Sequence, residues 1–241
     1  MVQPDITLYT VGTDNGWKAS IALEVLGLPY KTQALSFAKN EQKEEWFLKI
    51  NPNGRIPAIV DHSNGDFAVF ESGAILLYLV QNYDPEHKLW PTDAKEQSEV
   101  VQWLMFQMGG IGPMQGQANH FKNYAPVKID YAINRYINET KRLYSVLESR
   151  LKDREYLAAN QLTIADISSF TWVWGSYALG IDLNEFPGVK AWVERIENLD
   201  AVQKGLDVPE ANKHKVYKSD PEALKKRLEE SAKWIQAANK Q

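Results

Sequence analysis

Strand-type patterning is confined to the first third of this 241-residue chain, and that asymmetry limits the fold more than any other feature. Residues 6–10 form a short alternating run that predicts a strand. After a polar stretch, helical spacing runs over residues 17–26 and stops at Gly27, and residues 30–35 predict a second strand. Strand, helix and strand within about thirty residues make a βαβ unit, with parallel neighbouring strands and a right-handed crossover. Two apolar runs, residues 58–61 and 67–70, flank Asn64-Gly65, a pair that tolerates positive φ in a hairpin turn. Residues 71–83 then return to helical spacing.

The order βαβ followed by ββα is that of a thioredoxin-like domain. Pro85, Pro91 and several charges interrupt all periodicity over residues 84–93, which predicts a linker. Beyond it only helical patterns remain, at residues 95–108, 127–152, 163–176 and 187–198, separated by Gly and Pro clusters such as GGIGP. A last helix is predicted after Asp220 as N-cap, with Pro221 at the first helical position and Leu224, Leu228 and Ile235 on one stripe. The expected fold class is α/β plus all-α. Its parts are a thioredoxin-like domain over 1–84, a linker over 85–93, a helical bundle domain over 94–206 and a helical extension over 207–241.

Composition removes several function classes. With no cysteine, disulfide scaffolds, thiolate metal sites and a protein thiol nucleophile are excluded, so any thiol chemistry uses a borrowed thiol. The net charge of -4 comes without a block of basic residues, so nucleic acid is not an expected partner. The opening MVQPDITLY lacks the basic and apolar regions of a signal peptide, and the apolar stretch 74–80 is too short to span a bilayer. A cytoplasmic protein without membrane association is the expectation. His62, His87, His120 and His214 are too scattered for a metal-ligand spacing, so no metal is expected.

Five strings occur in order along the chain: TDNGWK, NPNGRIPAIVDH, ESGAILLYL, GPMQGQANHF and LTIADI. Together they resemble the glutathione transferase family, in the branch holding the yeast nitrogen-catabolite regulator and the bacterial Nu-class enzymes. The resemblance implies glutathione as co-substrate, a homodimer, and a small electrophilic, disulfide or peroxide second substrate.

A free thiol near pKa 8.5 is only a few per cent thiolate at neutral pH, so such an enzyme must stabilise negative sulfur. Asn15 ends the turn before the first helix, where its amide and the free N–H groups of the helix start can face a ligand. The resemblance places Asn15 at the glutathione sulfur with Thr13 nearby; the alternative for Asn15 is a plain N-cap. Tyr9 lies within the strand and is read as packing. The resemblance also implies a cis bond before Pro57, which would turn the Ile56 backbone toward the cysteinyl segment of glutathione. Proline as strand-start punctuation is the alternative.

Glu71 and Ser72 open a helix and offer an acceptor for an α-ammonium group beside donors for an α-carboxylate, or else they only cap it. Gln42 and Arg55 match positions around the glycyl carboxylate, and Arg135 matches one that reaches glutathione across a dimer interface. Ordinary surface roles are the alternative for these three. Thr163 and Asp166 fit a reciprocal capping pattern and are assigned to folding. Trp103, Trp172 and Trp174 are read as core packing, with a pocket for an apolar co-substrate as the alternative.

The expected activity is that of a glutathione transferase, or of a glutathione-dependent disulfide reductase or peroxidase acting through bound glutathione. The competing reading is a regulatory or ligand-binding protein on the same fold. Only five residues precede the first strand, so the Asn- and Gln-rich extension of the yeast regulator is not expected here. The C-terminal helix is expected to pack on the helical domain; covering a co-substrate pocket is the alternative.

Overall fold

The computed structural model describes residues 4–238. Strands β1 (Ile6–Thr10), β2 (Tyr30–Ala34), β3 (Ala58–Asp61) and β4 (Phe67–Phe70) form one sheet in the order β2-β1-β3-β4. β1 is parallel to β2 and antiparallel to β3, and β3 is antiparallel to β4, as the βαβ–ββα reading requires. Ile6, Leu8 and Thr10 alternate into the core, the period of a strand with one buried face. The β3–β4 connection is longer than a two-residue turn. Residues 62–66 form it, with Gly65 at φ 68° and Asp66 at φ 58°. Ser63 donates to the Asp61 carboxylate at 2.5 Å within this loop, and Tyr78 does so from outside it at 2.7 Å, which ties the longer loop down.

Helix α1 (Gly16–Leu26) crosses from β1 to β2; the short α2 (Glu45–Leu48) and then α3 (Ser72–Tyr83) follow. Every α1 residue from Gly16 to Leu23 is buried, because the sheet and α3 cover one side and the helical half covers the other. That double coverage also takes Lys18 and Ser20 out of water.

The helical half comprises α4 (Ala94–Phe106), α5 (Gly112–Asn119), α6 (Asp130–Leu151), α7 (Ile164–Trp174), α8 (Pro187–Glu197), α9 (Asp200–Leu206), α10 (His214–Ser219) and α11 (Pro221–Ala238). The GGIGP cluster does not end a helix as expected. Wide π-type turns at Gln107–Ile111 and His120–Tyr124 carry the helical path from α4 through α5 to Tyr124. The first of these turns loosens the ladder just before Pro113, which has no N–H to donate. α9, also not anticipated, packs on α1 at backbone contact. A Cβ on Gly205 would lie 2.5 Å from the Ile21 Cα, and Ser20 Oγ donates to the Gly205 carbonyl at 2.7 Å.

Asp220 caps α11 by accepting from Glu222 and Ala223 N–H at 3.0 and 3.1 Å. Leu224, Leu228 and Ile235 on this helix are half-buried. α11 packs on the His120–Tyr124 turn, as expected, and Gln236 donates to the Tyr124 carbonyl at 2.8 Å. It also reaches the sheet half, where Trp234 and Phe37 sit with ring centroids 4.9 Å apart.

Candidate functional site

Sheet register gathers the candidate residues. Tyr9 pairs with Ala58, and Ala58 with Phe70, so the end of β1, the start of β3 and the end of β4 lie side by side. The turn holding Thr13 and Asn15, the Ile56–Pro57 bond and the Glu71-Ser72 step therefore converge on one end of the sheet, at the carboxyl end of the parallel pair. The Ile56–Pro57 bond is cis. A depression lined by Pro4, Leu26, Asn64 and Tyr83 lies at the other end of the sheet and contains none of these groups.

The turn before α1 is tight because residue 16 is glycine. A Cβ there would lie 2.2 Å from the Val11 carbonyl and 2.5 Å from Thr10 Oγ1. Thr13 does the capping: its Oγ1 accepts from Gly16 N–H at 3.2 Å and its carbonyl from Trp17 N–H at 2.9 Å. Two of the helix-start N–H groups expected to face a ligand are thus satisfied within the turn. Asn15, by contrast, makes no side-chain cap. Its Oδ1 accepts from the Trp172 indole Nε1 at 3.0 Å. An indole nitrogen only donates, so this bond sets the Asn15 amide with its NH2 as the outward group.

Trp172 is therefore more than core packing, and the GPMQGQ string lies against it. Gly112 and Gly116, one helical turn apart on α5, face the indole, which a Cβ at either position would meet at 3.5 Å, an ordinary contact; at Gly112 the close neighbour is Gln107 Nε2, 2.8 Å away. Gln115 between them donates to the Trp172 carbonyl at 2.7 Å and accepts from Tyr144 OH at 2.7 Å. Trp172→Phe keeps the packing and removes the donor. Turnover with glutathione is expected to fall about 2- to 10-fold, the worth of one neutral hydrogen bond, in a steady-state comparison of folded variants.

Tyr9 packs against Trp46 and Phe47, and partial burial raises its phenol pKa, the wrong direction for a thiol base. Asp14 is next to Asn15, and burial, opposed by Arg227 and Lys18, raises its carboxyl to about 6. Arg227 sits on α11, and it also lowers the pKa of Tyr124 and Tyr177 against the larger effect of their burial. Through Arg227, α11 thus acts electrostatically on Asp14, beside Asn15.

Glu71 adopts φ 68°, ψ 119°, a conformation unfavourable for a residue with a Cβ and of the kind found at ligand sites. Its Oε1 lies 3.5 Å from Asn53 Nδ2, while the buried Ser72 hydroxyl is 3.3 Å from Lys18 Nζ. Asn51 Nδ2 donates to the Arg55 carbonyl at 2.6 Å and shapes the loop before Pro57, leaving the Arg55 side chain exposed. Gln42 is buried, and one N–H of its amide donates to Asn40 Oδ1 at 2.8 Å, which ties its side chain to the neighbouring turn. Lys43, which the sequence reading passed over, reaches the Asn53 carbonyl at 3.2 Å and adds a cation there. Arg135 is exposed on α6 and joins no hydrogen bond or ion pair among the described residues.

Among the described residues, no group of three or more His, Asp or Glu side chains is placed to hold a metal, and no helix is long and apolar enough to cross a membrane.

A thioredoxin-like sheet whose first helix is clamped by an all-helical half, with its polar cluster beside a cis-proline, defines a two-domain thioredoxin-fold protein. Residues 4–81 match the glutathione S-transferase N-terminal domain and residues 131–200 its C-terminal domain. Glutathione S-transferase 1 of Schizosaccharomyces pombe is 42% identical over 197 residues, covering 76% of this chain and 86% of the relative. Disulfide-bond oxidoreductase YfcG of Escherichia coli is 42% identical over 205 residues, 83% and 94% of the two chains. A glutathione transferase homolog from Lodderomyces elongisporus, crystallised with two GSH per subunit, superimposes with a TM-score of 0.82 at 45% identity, covering 85% and 99%. The chain belongs to the glutathione transferase family.

Proposed function

We propose that this protein is an enzyme that uses the thiolate of bound glutathione, stabilised chiefly by the Asn15 amide. The observation that carries this reading is the Trp172–Asn15 bond, which leaves the NH2 as a donor at the start of α1. Ser72 and Glu71 take the γ-glutamyl carboxylate and ammonium, and the Ile56 backbone beside the cis bond pairs with the cysteinyl segment. Arg55 and Lys43 face the glycyl carboxylate, while Gln42 and Thr13 hold the loops in place.

Two outcomes share this site. In conjugation the thiolate attacks an electrophilic carbon and expels its leaving group. In reduction it attacks the glutathionyl sulfur of a mixed disulfide, giving glutathione disulfide and a free thiol; the chain has no cysteine to form an enzyme disulfide. A relative named as a transferase and one named as a disulfide-bond oxidoreductase support both. Exposed Phe67 and Phe70 on the edge strand and Met105 on α4 support a homodimer, in which Arg135 reaches the partner's ligand. A cytoplasmic location fits glutathione chemistry.

The test is retention on immobilised glutathione, with assays against a chloronitrobenzene and a small glutathione mixed disulfide. Retention with turnover is expected, and the faster substrate separates conjugation from reduction. Failure to bind glutathione in free solution would overturn the proposal and favour a regulatory role.

A further inference from the structure

Lys18 is in the first turn of α1 and has 0% exposure; no other lysine or arginine among the described residues is so buried. Its Nζ donates to Gln107 Oε1 at 2.6 Å and to Ser72 Oγ at 3.3 Å, and lies 3.6 Å from Met108 Sδ. All three partners are neutral. Ser168, on α7, donates to the same Gln107 oxygen at 2.6 Å. The charged groups facing Lys18 are Asp14, on the turn before α1, and Glu71, before α3, and neither forms an ion pair with it. A buried ammonium without a counter-charge is costly, and such a group tends to shed its proton.

We propose that Lys18 is a positioning residue whose counter-charge arrives with the ligand: a carboxylate held on Ser72, the γ-glutamyl α-carboxylate of glutathione, draws a proton from solvent onto Lys18 and keeps it there. The proposal rests on the reading that Ser72 takes that carboxylate. The protonated amine can only donate, so it occupies a lone pair of Ser72 Oγ, and the hydroxyl hydrogen, held in the free protein only by a weak 3.7 Å contact with Met108 Sδ, is left for the ligand. The neutral amine could instead accept that hydrogen and withdraw it. Burial, opposed by Asp14 and Glu71, lowers Lys18 to about 7 in the ligand-free protein. Above that pH the free site is mostly deprotonated, so a ligand that restores the charge must take up a proton.

The full-length protein is titrated calorimetrically with S-methylglutathione, whose blocked thiol releases no proton, in buffers of different ionisation enthalpy. Uptake of about 0.5–0.9 proton is expected at pH 8, and the share that Lys18→Met removes falls to about 0.1 at pH 6. Asp14, at about 6, is ionised by pH 8 and contributes little. In Lys18→Met the uptake falls to the small residual due to the ligand amine, and affinity drops about tenfold. Should that variant fail to fold, the wild-type proton count decides alone. S-methylglutathione binding at pH 8 without proton uptake overturns the role of Lys18 and leaves the glutathione site standing. No binding at either pH overturns the site itself and this inference with it.

Discussion

Asn15→Ala is expected to slow glutathione turnover about 10- to 100-fold at neutral pH, because a hydrogen bond to a charged group contributes about 1.5–3 kcal/mol, or about one to two pKa units of the bound thiol. Thr13 already satisfies two N–H groups at the start of α1, so in the proposed site most of that stabilisation is assigned to the Asn15 amide. The loss should shrink as pH rises and the thiol ionises unaided, so the variant's pH–rate curve should move upward by the same one to two units. Stability should change little, since Asn15 forms no side-chain cap and gives up only its bond to Trp172. Asn15→Asp is the sharper control. It keeps an acceptor for the indole but sets a negative charge beside the thiolate, and should be slower than the alanine variant. The measurement is kcat/KM against pH with a chloronitrobenzene, alongside an absorbance titration of the bound thiolate. An unshifted profile in the alanine variant would assign the thiolate to another group.

Asp166→Ala is expected to cost about 3–5 kcal/mol of folding stability, the largest effect of any substitution discussed. The carboxylate is fully buried and accepts four hydrogen bonds. Oδ1 takes Leu157 N–H and Trp192 Nε1, both at 2.9 Å; Oδ2 takes Thr163 N–H at 2.9 Å and Thr163 Oγ1 at 2.7 Å. Alanine strands four buried donors from three parts of the chain, and each stranded group costs about 1–3 kcal/mol before relaxation. Urea unfolding followed by tryptophan fluorescence measures it, and a loss under about 1 kcal/mol, the worth of an ordinary cap, would reduce Asp166 to local capping. The pH dependence has a definite sign. Burial, against those hydrogen bonds, raises the folded carboxyl to about 6, above its unfolded value, so the folded state binds more protons between the two. The advantage of wild type over Asp166→Asn is therefore greatest at low pH and declines as pH rises through about 6.

Local chemistry was legible without coordinates. Periodicity placed the four strands, the longer helices and the Asp220 cap, and the family strings indicated the cis bond before Pro57. These features depend on neighbours a few residues away, where side-chain spacing and turn residues act directly. Short or interrupted helices were less legible. α2 and α9 are too short to show a period, and α5 hides behind glycines and a proline that a wide turn accommodates.

The candidate site divides along the same line. The sequence by itself determined that Asn15, Ile56-Pro57 and Glu71-Ser72 each stand at a strand or helix boundary, where backbone groups are left over for a ligand. Only the tertiary structure decided how those residues are set. Trp172 meets Asn15 across 157 positions, Gln107 meets Lys18 across 89, and the Lys18 amine leaves water only once the second half of the chain closes over α1. Orientation of an amide and protonation of an amine depend on what is packed against them, and in this protein those partners come from distant parts of the chain.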